Sequence, residues 1–336
     1  MSPAIANAVI FVIAVVIWGS TWIMMKFQLG VVDPTASLTY RYCLAGIVVL
    51  TGAALAGKRI RLAPSQHLWC IAQGALMFSA NYWITYIAAA HLTTGIISVF
   101  FAGVSGCTML LALIIYQRVP ALRTALGALM GVCGTALVFW PEIDGLPIDG
   151  PEIQSGFLLV LSVFLFAAGG LVGARNLASG MPRYATIGWS MFYGSCWMCL
   201  IVFIRGDTFA FDVSAPYILS LMWLIFFGSG LVFVLYFILI ERIGPERASY
   251  ASVMFPLVAL VISTFAEGYS WPLLALIGVP LAILGNGLVL WQGNSPPAAE
   301  STPDEPEPVE WPVNIVELPE DGGRVPRDHP QGAFSP

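Results

Sequence analysis

The sequence predicts an all-α membrane protein in which ten transmembrane helices form two inverted five-helix repeats. Three observations lead to this prediction. Hydrophobic residues make up 58% of the chain and charged residues only 10%, the apolar residues fall into ten long runs, and the two halves match each other at nearly constant offsets. A soluble domain usually carries about 25% charged residues, so most of this chain's surface is expected to face lipid.

Each apolar run is about as long as a helix needs to cross about 30 Å of hydrocarbon. Helices are expected because backbone groups left unpaired in lipid are costly. The first run ends at Lys26 without a signal-peptide cleavage site, so we expect it to be retained as the first helix. The runs lie near residues 7–25, 35–56, 68–90, 92–116, 121–140, 153–174, 184–204, 216–240, 248–266 and 268–291.

The basic residues predict the orientation in the membrane. With the N-terminus in the cytoplasm, the cytoplasmic loops hold nine Lys and Arg residues, and the outer positions hold only Lys26 and Arg205. Such a bias is typical of cytoplasmic loops. An even number of spans then places both termini in the cytoplasm. We therefore expect a multi-pass protein of the inner, or plasma, membrane.

An internal repeat divides the chain. Residues 91–140 match 242–291 at an offset of 151, and an offset of 148 fits the first quarter of each half better. The matched pairs are Ser98/Ser249, Gly127/Gly278, Gly134/Gly285, Trp140/Trp291, Pro34/Pro182 and Gly46/Gly194. Five spans per half make the second half enter the membrane from the opposite side, an arrangement common in secondary transporters. Chance matching of apolar sequences is the alternative.

The repeat also predicts helix contacts and domain bounds. Small residues three and four positions apart share one helix face and let helix backbones approach closely in lipid; they are Gly127, Gly131 and Gly134 in one half and Gly278, Ala282 and Gly285 in the other. We read them as packing seams. The predicted repeats are residues 1–144 and 145–291.

The remaining residues, 292–336, hold ten prolines and nine acidic residues. Such a composition buries too little apolar surface to offset the entropy of ordering. We expect a disordered cytoplasmic tail, with a docking or regulatory role as the alternative.

Several functional classes lack their sequence signals. The chain contains no Gly-rich nucleotide-binding loop and no His-Glu-x-x-His motif, and no basic patch that would bind nucleic acid. The pair Cys196 and Cys199 lies inside an apolar run and is read as packing. We therefore expect no enzyme activity, cofactor or metal. The partners expected are a small-molecule solute and membrane lipid, and a homodimer is left open.

Short motifs through most of the chain resemble one family. The motifs are Ile17-Trp18-Gly19-Ser20-Thr21-Trp22, Lys26, Asp33-Pro34, Arg41, Gly134-x5-Trp140, Gly285-x5-Trp291, the run Arg242–Ser249 and Pro256. Together they resemble the EamA-type branch of the drug/metabolite transporter superfamily. The resemblance implies two inverted five-helix repeats around a central cavity. It also implies transport of small metabolites, often export of amino acids or related compounds.

One departure from the family pattern concerns the fourth span. Relatives often carry a proline there that matches the one in the ninth span. Here the position opposite Pro256 is Ser105, with Gly103 and Gly106 beside it. The bend that span four has in relatives is therefore not assumed for this chain.

Arg41 and Lys26 are the first candidate site residues. Arg41 lies about two turns into the second run, where a charge usually faces a cavity or a partner. It either binds a substrate carboxylate or tunes a gate, or else it forms a structural pair or reaches the outer interface. Lys26 lies at the outer end of the first run and is an interfacial anchor or an anion-binding gate charge.

Two aromatic stripes are the next candidates. In the third span Tyr82 and Tyr86 share a face beside Asn81. In the eighth span an aromatic face with one hydroxyl is formed by Phe226, Ser229, Phe233 and Tyr236. We expect the two stripes to face an amphipathic or aromatic solute across a cavity, whereas helix packing or lipid contact is the alternative.

Trp18 and Ser20 near the middle of the first span complete the candidate set. The sequence therefore favours a permease that moves small metabolites, such as amino acids or related amphipathic solutes, by alternating access, with export favoured. The alternative is an integral membrane enzyme or acceptor that acts on a lipid-linked substrate.

Overall fold

A computed structural model describes most of the hydrophobic part of the chain. The described residues are 3–89, 91–92, 97, 100–117, 122–143, 151–267 and 271–290. The chain separates into two compact units, Met1–Thr302 and Pro303–Pro336, and every described residue belongs to the first. The predicted tail, 292–336, lies outside the described residues.

All regular secondary structure in the described residues is helical, as the sequence predicts. The helices are α1 (Pro3–Lys26), α2 (Pro34–Leu55), α3 (Pro64–Ala75), α4 (Asn81–Ala89), α5 (Val104–Tyr116), α6 (Leu122–Ile143), α7 (Pro151–Ala178), α8 (Arg183–Arg205), α9 (Ala215–Ile225), α10 (Val232–Ile243), α11 (Pro245–Ala248), α12 (Ala251–Glu267) and α13 (Leu273–Leu290). Two π-helical turns, π1 (Leu76–Ala80) and π2 (Phe226–Leu231), join α3 to α4 and α9 to α10.

Five helical stretches are long and apolar enough to cross a membrane. They are Pro3–Met25, Pro34–Leu55, Ile153–Ala178, Arg183–Arg205 and Ala215–Ile243. Shorter apolar helices cover Phe100–Ile115, Leu122–Val138 and Leu273–Gly285. Large apolar side chains on the outside, such as Leu55 and Phe203, are exposed, as is expected of a surface that faces lipid tails.

Local sequence signals set the helix ends. Asp33 caps α2, because its Oδ1 accepts a hydrogen bond of 2.8 Å from the Thr35 backbone N–H, and Pro34 occupies the first helical position, where no N–H is needed. Gly206 ends α8 at a φ of 71°, a left-handed conformation that glycine adopts without strain.

The glycine seam predicted from the sequence is confirmed between α6 and α13. A Cβ atom added to Gly134 would lie 2.5 Å from the backbone N of Ala282, and one added to Gly285 would lie 2.6 Å from the carbonyl oxygen of Gly127. The early part of α6 therefore meets the late part of α13, and the two helices run antiparallel. Their backbones touch directly, which only small residues allow.

Helices α2 and α8 form a second close antiparallel pair. A Cβ atom on Gly46 would lie 2.8 Å from the carbonyl oxygen of Gly188. At the other end of the pair, Arg205 approaches the Asp33 carboxylate at 3.9 Å. Other close pairs are α3 with α8, α1 with α12, α4 with α7 and α5 with α7.

Replacing Gly134 with alanine should destabilise the protein, because the added methyl group meets backbone atoms that cannot move aside. We expect a loss of about 1–3 kcal/mol, measured as a lower Tm of the purified protein in detergent. Gly106→Ala in α5 is the matched control, since nothing lies within 4 Å of its Cβ position. A Tm for Gly134→Ala equal to that of the control would contradict the backbone contact.

Candidate functional site

A cavity lies inside the bundle, between α1, α4, α7, α10 and the residues around α5, α11 and α12. It contains about 530 Å³ of empty space, part of it open to solvent. Its lining residues are Trp18, Thr21, Trp22, Met25, Tyr82, Thr85, Phe101, Val104, Phe166, Tyr236, Ser249, Ser252 and Phe255. Among these lining residues, none carries a charge. The cavity therefore offers aromatic surface and hydroxyl groups.

The indole of Trp18 anchors one wall of the cavity. Its ring centroid lies 5.0 Å from that of Tyr236, 5.4 Å from that of Phe233 and 6.4 Å from that of Phe166, with the rings edge to face. Edge-to-face contacts hold aromatic rings in a defined arrangement. The wall is therefore preorganised to pack against a flat or apolar group.

The serine and threonine hydroxyl groups of the cavity donate to backbone carbonyl oxygens. Thr21 Oγ1 donates to the Trp18 carbonyl at 2.6 Å, and Ser252 Oγ donates to the Ser249 carbonyl at 2.6 Å. Thr85 Oγ1 donates to the Asn81 carbonyl at 2.8 Å. Because each hydroxyl oxygen keeps lone pairs, these groups present acceptors to a solute.

Arg41 lies behind this cavity, in the interior of the bundle. Its side chain is only 2% exposed. Its Nε donates to Ser229 Oγ at 2.8 Å, and its Nη2 donates to the Gly228 carbonyl oxygen at 3.1 Å. Its guanidinium carbon lies 5.3 Å from the ring centroid of Tyr82, which lines the cavity. Arg41 therefore links α2 to the π2 turn and lies next to the cavity wall.

The π2 turn explains how this contact arises. A π-helical turn interrupts the regular pattern of α-helical hydrogen bonds and often marks a functional position. Here it presents the Gly228 carbonyl and the Ser229 hydroxyl to the same guanidinium. Gly228 also leaves room for α1, because a Cβ atom there would lie 2.8 Å from Thr21 Cγ2.

The structure brings some of the predicted site residues to the cavity and not others. Trp18, Tyr82 and Tyr236 are among its lining residues. Ser20 instead donates to the Ile17 carbonyl of its own helix at 2.7 Å. Lys26 is the last residue of α1, and its side chain lies outside the described part of the structure.

Three further predicted residues are buried away from the lining. Asn81 and Tyr86 lie in α4 and are 0% and 6% exposed, and Phe233 packs behind Trp18. The amide oxygen and nitrogen of Asn81 have no hydrogen-bond partner among the described residues. A buried amide without partners is unusual, which keeps Asn81 a candidate.

The prediction that Phe226 shares a face with Ser229, Phe233 and Tyr236 is wrong. Phe226 is 47% exposed, whereas the other three are buried. The cause is the π2 turn, which begins at Phe226 and adds a residue to the turn. The 3.6-residue spacing used on the sequence does not hold through such a turn, so Phe226 points to the outside.

Sequence reasoning missed several polar residues of the site. Thr85 and Ser162 hydrogen-bond each other at 2.8 Å, and Ser162 Oγ also donates to the Asn81 carbonyl at 2.9 Å. The four-residue spacing of Asn81 and Thr85 could have placed Thr85 beside the predicted stripe. Nothing local in the sequence signals that Ser162, 77 residues further on, would meet it.

The helical architecture and the cavity define a class, a polytopic membrane protein whose interior holds a cavity lined by aromatic and hydroxyl groups. The sequence profile of the EamA-like transporter family matches residues 6–140 and again residues 154–291. The chain belongs to this family, a family of membrane transporters within the drug/metabolite transporter superfamily.

Individual relatives are distant but cover most of the chain. Protein PagO of Salmonella typhimurium is 18% identical over 87% of this chain and 95% of its own length. The uncharacterized transporter YvbV of Bacillus subtilis is 22% identical over 88% and 95%. The uncharacterized inner membrane transporter YedA of Escherichia coli K12 is 24% identical over 75% and 80%.

A solved crystal structure shares the fold. It aligns with a TM-score of 0.71 at 14% identity and covers 84% of this chain and 96% of that chain. At this level of identity the likeness establishes the common fold and says nothing about the solute.

Water should reach the cavity. In a variant without native cysteines, Ser252→Cys in the cavity wall should react with a small methanethiosulfonate reagent faster than Ser190→Cys, which is 0% exposed and outside the lining. Ser190→Cys can react only when the bundle opens locally. An opening that costs about 1.4 kcal/mol would slow its labelling about tenfold. Equal labelling rates would show that the cavity is closed to water.

Proposed function

We propose that the protein is a secondary transporter that moves small amphipathic metabolites across the inner membrane by alternating access, with export as its direction. In this proposal residues 1–144 and 145–291 form two inverted five-helix halves, and the solute binds between them. Trp18, Tyr82 and Tyr236 contact the solute directly. The direction follows the family resemblance, in which export is common.

The observation that carries the proposal is the composition of the cavity wall. Most of its positions come in pairs that the repeat offsets of 148 and 151 relate to each other. These pairs are Trp18/Phe166 at 148 and Thr85/Tyr236, Phe101/Ser252 and Val104/Phe255 at 151. Eight lining residues come from the first half and five from the second. A cavity lined by both halves lies on the boundary between them, where rocking of one half against the other changes its access.

The packing of equivalent helices supports the inversion. The antiparallel pairs α6 with α13 and α2 with α8 each join one helix to its counterpart in the other half. Counterparts must run in opposite directions if the second half is inverted. The offset of 151 also carries π1, 76–80, onto 227–231 within π2, and the family profile matches each half separately.

The distribution of basic residues and the name of one relative support the membrane location and the orientation in this proposal. The relative YedA is named an inner membrane transporter, and the cytoplasmic side predicted from the basic residues places both termini inside. In this orientation the ion pair between Arg183 and Glu241 lies near the cytoplasmic face. The pairs that Arg205 forms with Asp33 and Asp207 lie near the outer face.

Exchange of solute without chemical change would test the proposal. Proteoliposomes that contain the purified full-length protein are loaded with a cell metabolite extract, and solutes that leave are identified by mass spectrometry. Counterflow of each labelled solute then measures exchange. We expect protein-dependent exchange of a few solutes. Chemical conversion of a solute, or no exchange of any solute, would overturn the proposal.

Removing the Trp18 side chain should reduce this exchange. Trp18→Ala removes the central ring of the cavity wall, and the loss of a buried aromatic contact of about 1.5–3 kcal/mol predicts a reduction of about tenfold or more. Trp197→Ala is the matched control, because Trp197 is 40% exposed on the outside of α8. Trp18→Phe, which keeps a ring, should retain part of the activity. Equal exchange by the Trp18→Ala and Trp197→Ala variants would show that Trp18 does not contact the solute.

A further inference from the structure

We propose that the solutes of this cavity carry a carboxylate and that Arg41 binds it. This inference rests on the proposed transport function and assigns its substrate class: a monoanionic carboxylate attached to an aromatic or other apolar body. Three features of Arg41 support it: its charge, its unpaired donor Nη1 and its position beside the cavity wall.

The charge of Arg41 is not balanced within the described structure. Its side chain is buried to 2% exposure, and none of the ion pairs that the described residues form includes it. Those pairs lie at helix ends, where Arg183 meets Glu241 and Arg205 meets Asp33 and Asp207. A buried cation without an acidic partner is costly, and a bound anion would lower that cost.

Part of the hydrogen-bonding capacity of Arg41 is also unused. Nε and Nη2 donate to Ser229 and to the Gly228 carbonyl, whereas Nη1 has no partner among the described residues. The hydroxyl of Tyr42, whose ring centroid lies 5.1 Å from the Arg41 guanidinium carbon, is also buried and unpaired. Buried polar groups are normally satisfied, so an unpaired cationic donor beside an unpaired hydroxyl points to a missing binding partner.

The guanidinium lies within one side-chain layer of the cavity. Tyr82 has its ring 5.3 Å from the guanidinium carbon and is itself part of the cavity wall. On the other side, Gly228 separates Arg41 from Thr21, because a Cβ atom there would lie 2.8 Å from Thr21 Cγ2 and 3.7 Å from Arg41 Nη2. In this proposal, a change in the rotamer of Tyr82 opens the cavity to Arg41.

The surroundings select a carboxylate over a phosphate. A single guanidinium balances one negative charge, and a planar carboxylate matches its planar donors. The lining residues of the cavity add no second cation, so a phosphate dianion would leave one buried charge unpaired. The aromatic wall around Trp18 and Phe166 supplies the complement to an apolar body.

Paired probes test this inference on the wild-type protein. Aromatic and aliphatic carboxylates, including L-phenylalanine and 3-phenylpropionate, are each compared with the corresponding carboxamide by thermal stabilisation of the purified full-length protein. We expect stabilisation by one or more carboxylates at an apparent affinity about ten- to hundredfold higher than that of the matched amide, the range for a hydrogen bond to a charged group. Equal affinities for acid and amide, or stabilisation by no carboxylate, would overturn the inference.

Variants assign the effect to Arg41. Arg41→Gln should reduce the preference for acid over amide to about one, whereas Arg41→Lys, which keeps the charge, should retain part of it. Arg205→Gln is the control, because Arg205 lies at the exposed end of α8 and should leave the preference unchanged. A purely structural role of Arg41 would lower Tm without altering this ratio. If Arg41→Gln does not fold, the Arg41→Lys variant and the wild-type pairs still decide the question.

The exchange experiment separates the two proposals. If the proteoliposomes exchange solutes but none of these solutes carries a carboxylate, transport stands and the carboxylate assignment fails. If carboxylates bind with the predicted preference but no solute is exchanged, the assignment stands and the transport function fails.

Discussion

The direct backbone contact within the two antiparallel helix pairs is the constraint on which the rest of the structure depends. Lipid tails are as apolar as the side chains, so helices in a membrane gain little from hydrophobic burial against each other and associate through close packing. Glycines at 134, 278 and 285 let α6 and α13 meet at van der Waals distance, and α2 and α8 repeat this at Gly46. None of the described residues that line the cavity belongs to these two pairs, since the lining comes from α1, α4, α5, α7, α10, α12 and the residues beside them.

A second constraint is the polarity that this interior tolerates. The cavity lining is uncharged, and its serine and threonine hydroxyl groups donate to neighbouring backbone carbonyls. Arg41 is placed one layer deeper, where the π2 turn supplies two acceptors. Two acceptors offset only part of the cost of burying a cation. Nη1 of Arg41 thus remains a buried donor without a partner among the described residues.

The sequence predicts the helical class and the seams well, because both follow from local periodicity. Apolar runs of sufficient length require helices in lipid, and the spacing of Gly127, Gly131 and Gly134 places them on one face whatever the tertiary structure. Arg41 is equally visible, since an isolated charge in an apolar run is rare. The helix face on which Phe226 lies is not predictable in this way. The extra residue of a π turn rotates the residues before it, relative to those after it, around the helix axis. The meeting of Thr85 with Ser162 depends on the packing of two distant helices, which no local pattern encodes.

The central claim, that the two halves are inverted in the membrane, is tested most directly by labelling the loops that follow the equivalent helices α2 and α8. Lys58 and Thr208 lie in these loops and are exposed. With the native cysteines replaced, Lys58→Cys and Thr208→Cys are each treated with a membrane-impermeant maleimide in intact cells and after permeabilisation. The account predicts that Thr208→Cys reacts in intact cells and that Lys58→Cys reacts only after permeabilisation. Reaction of both from the same side of the membrane would contradict it.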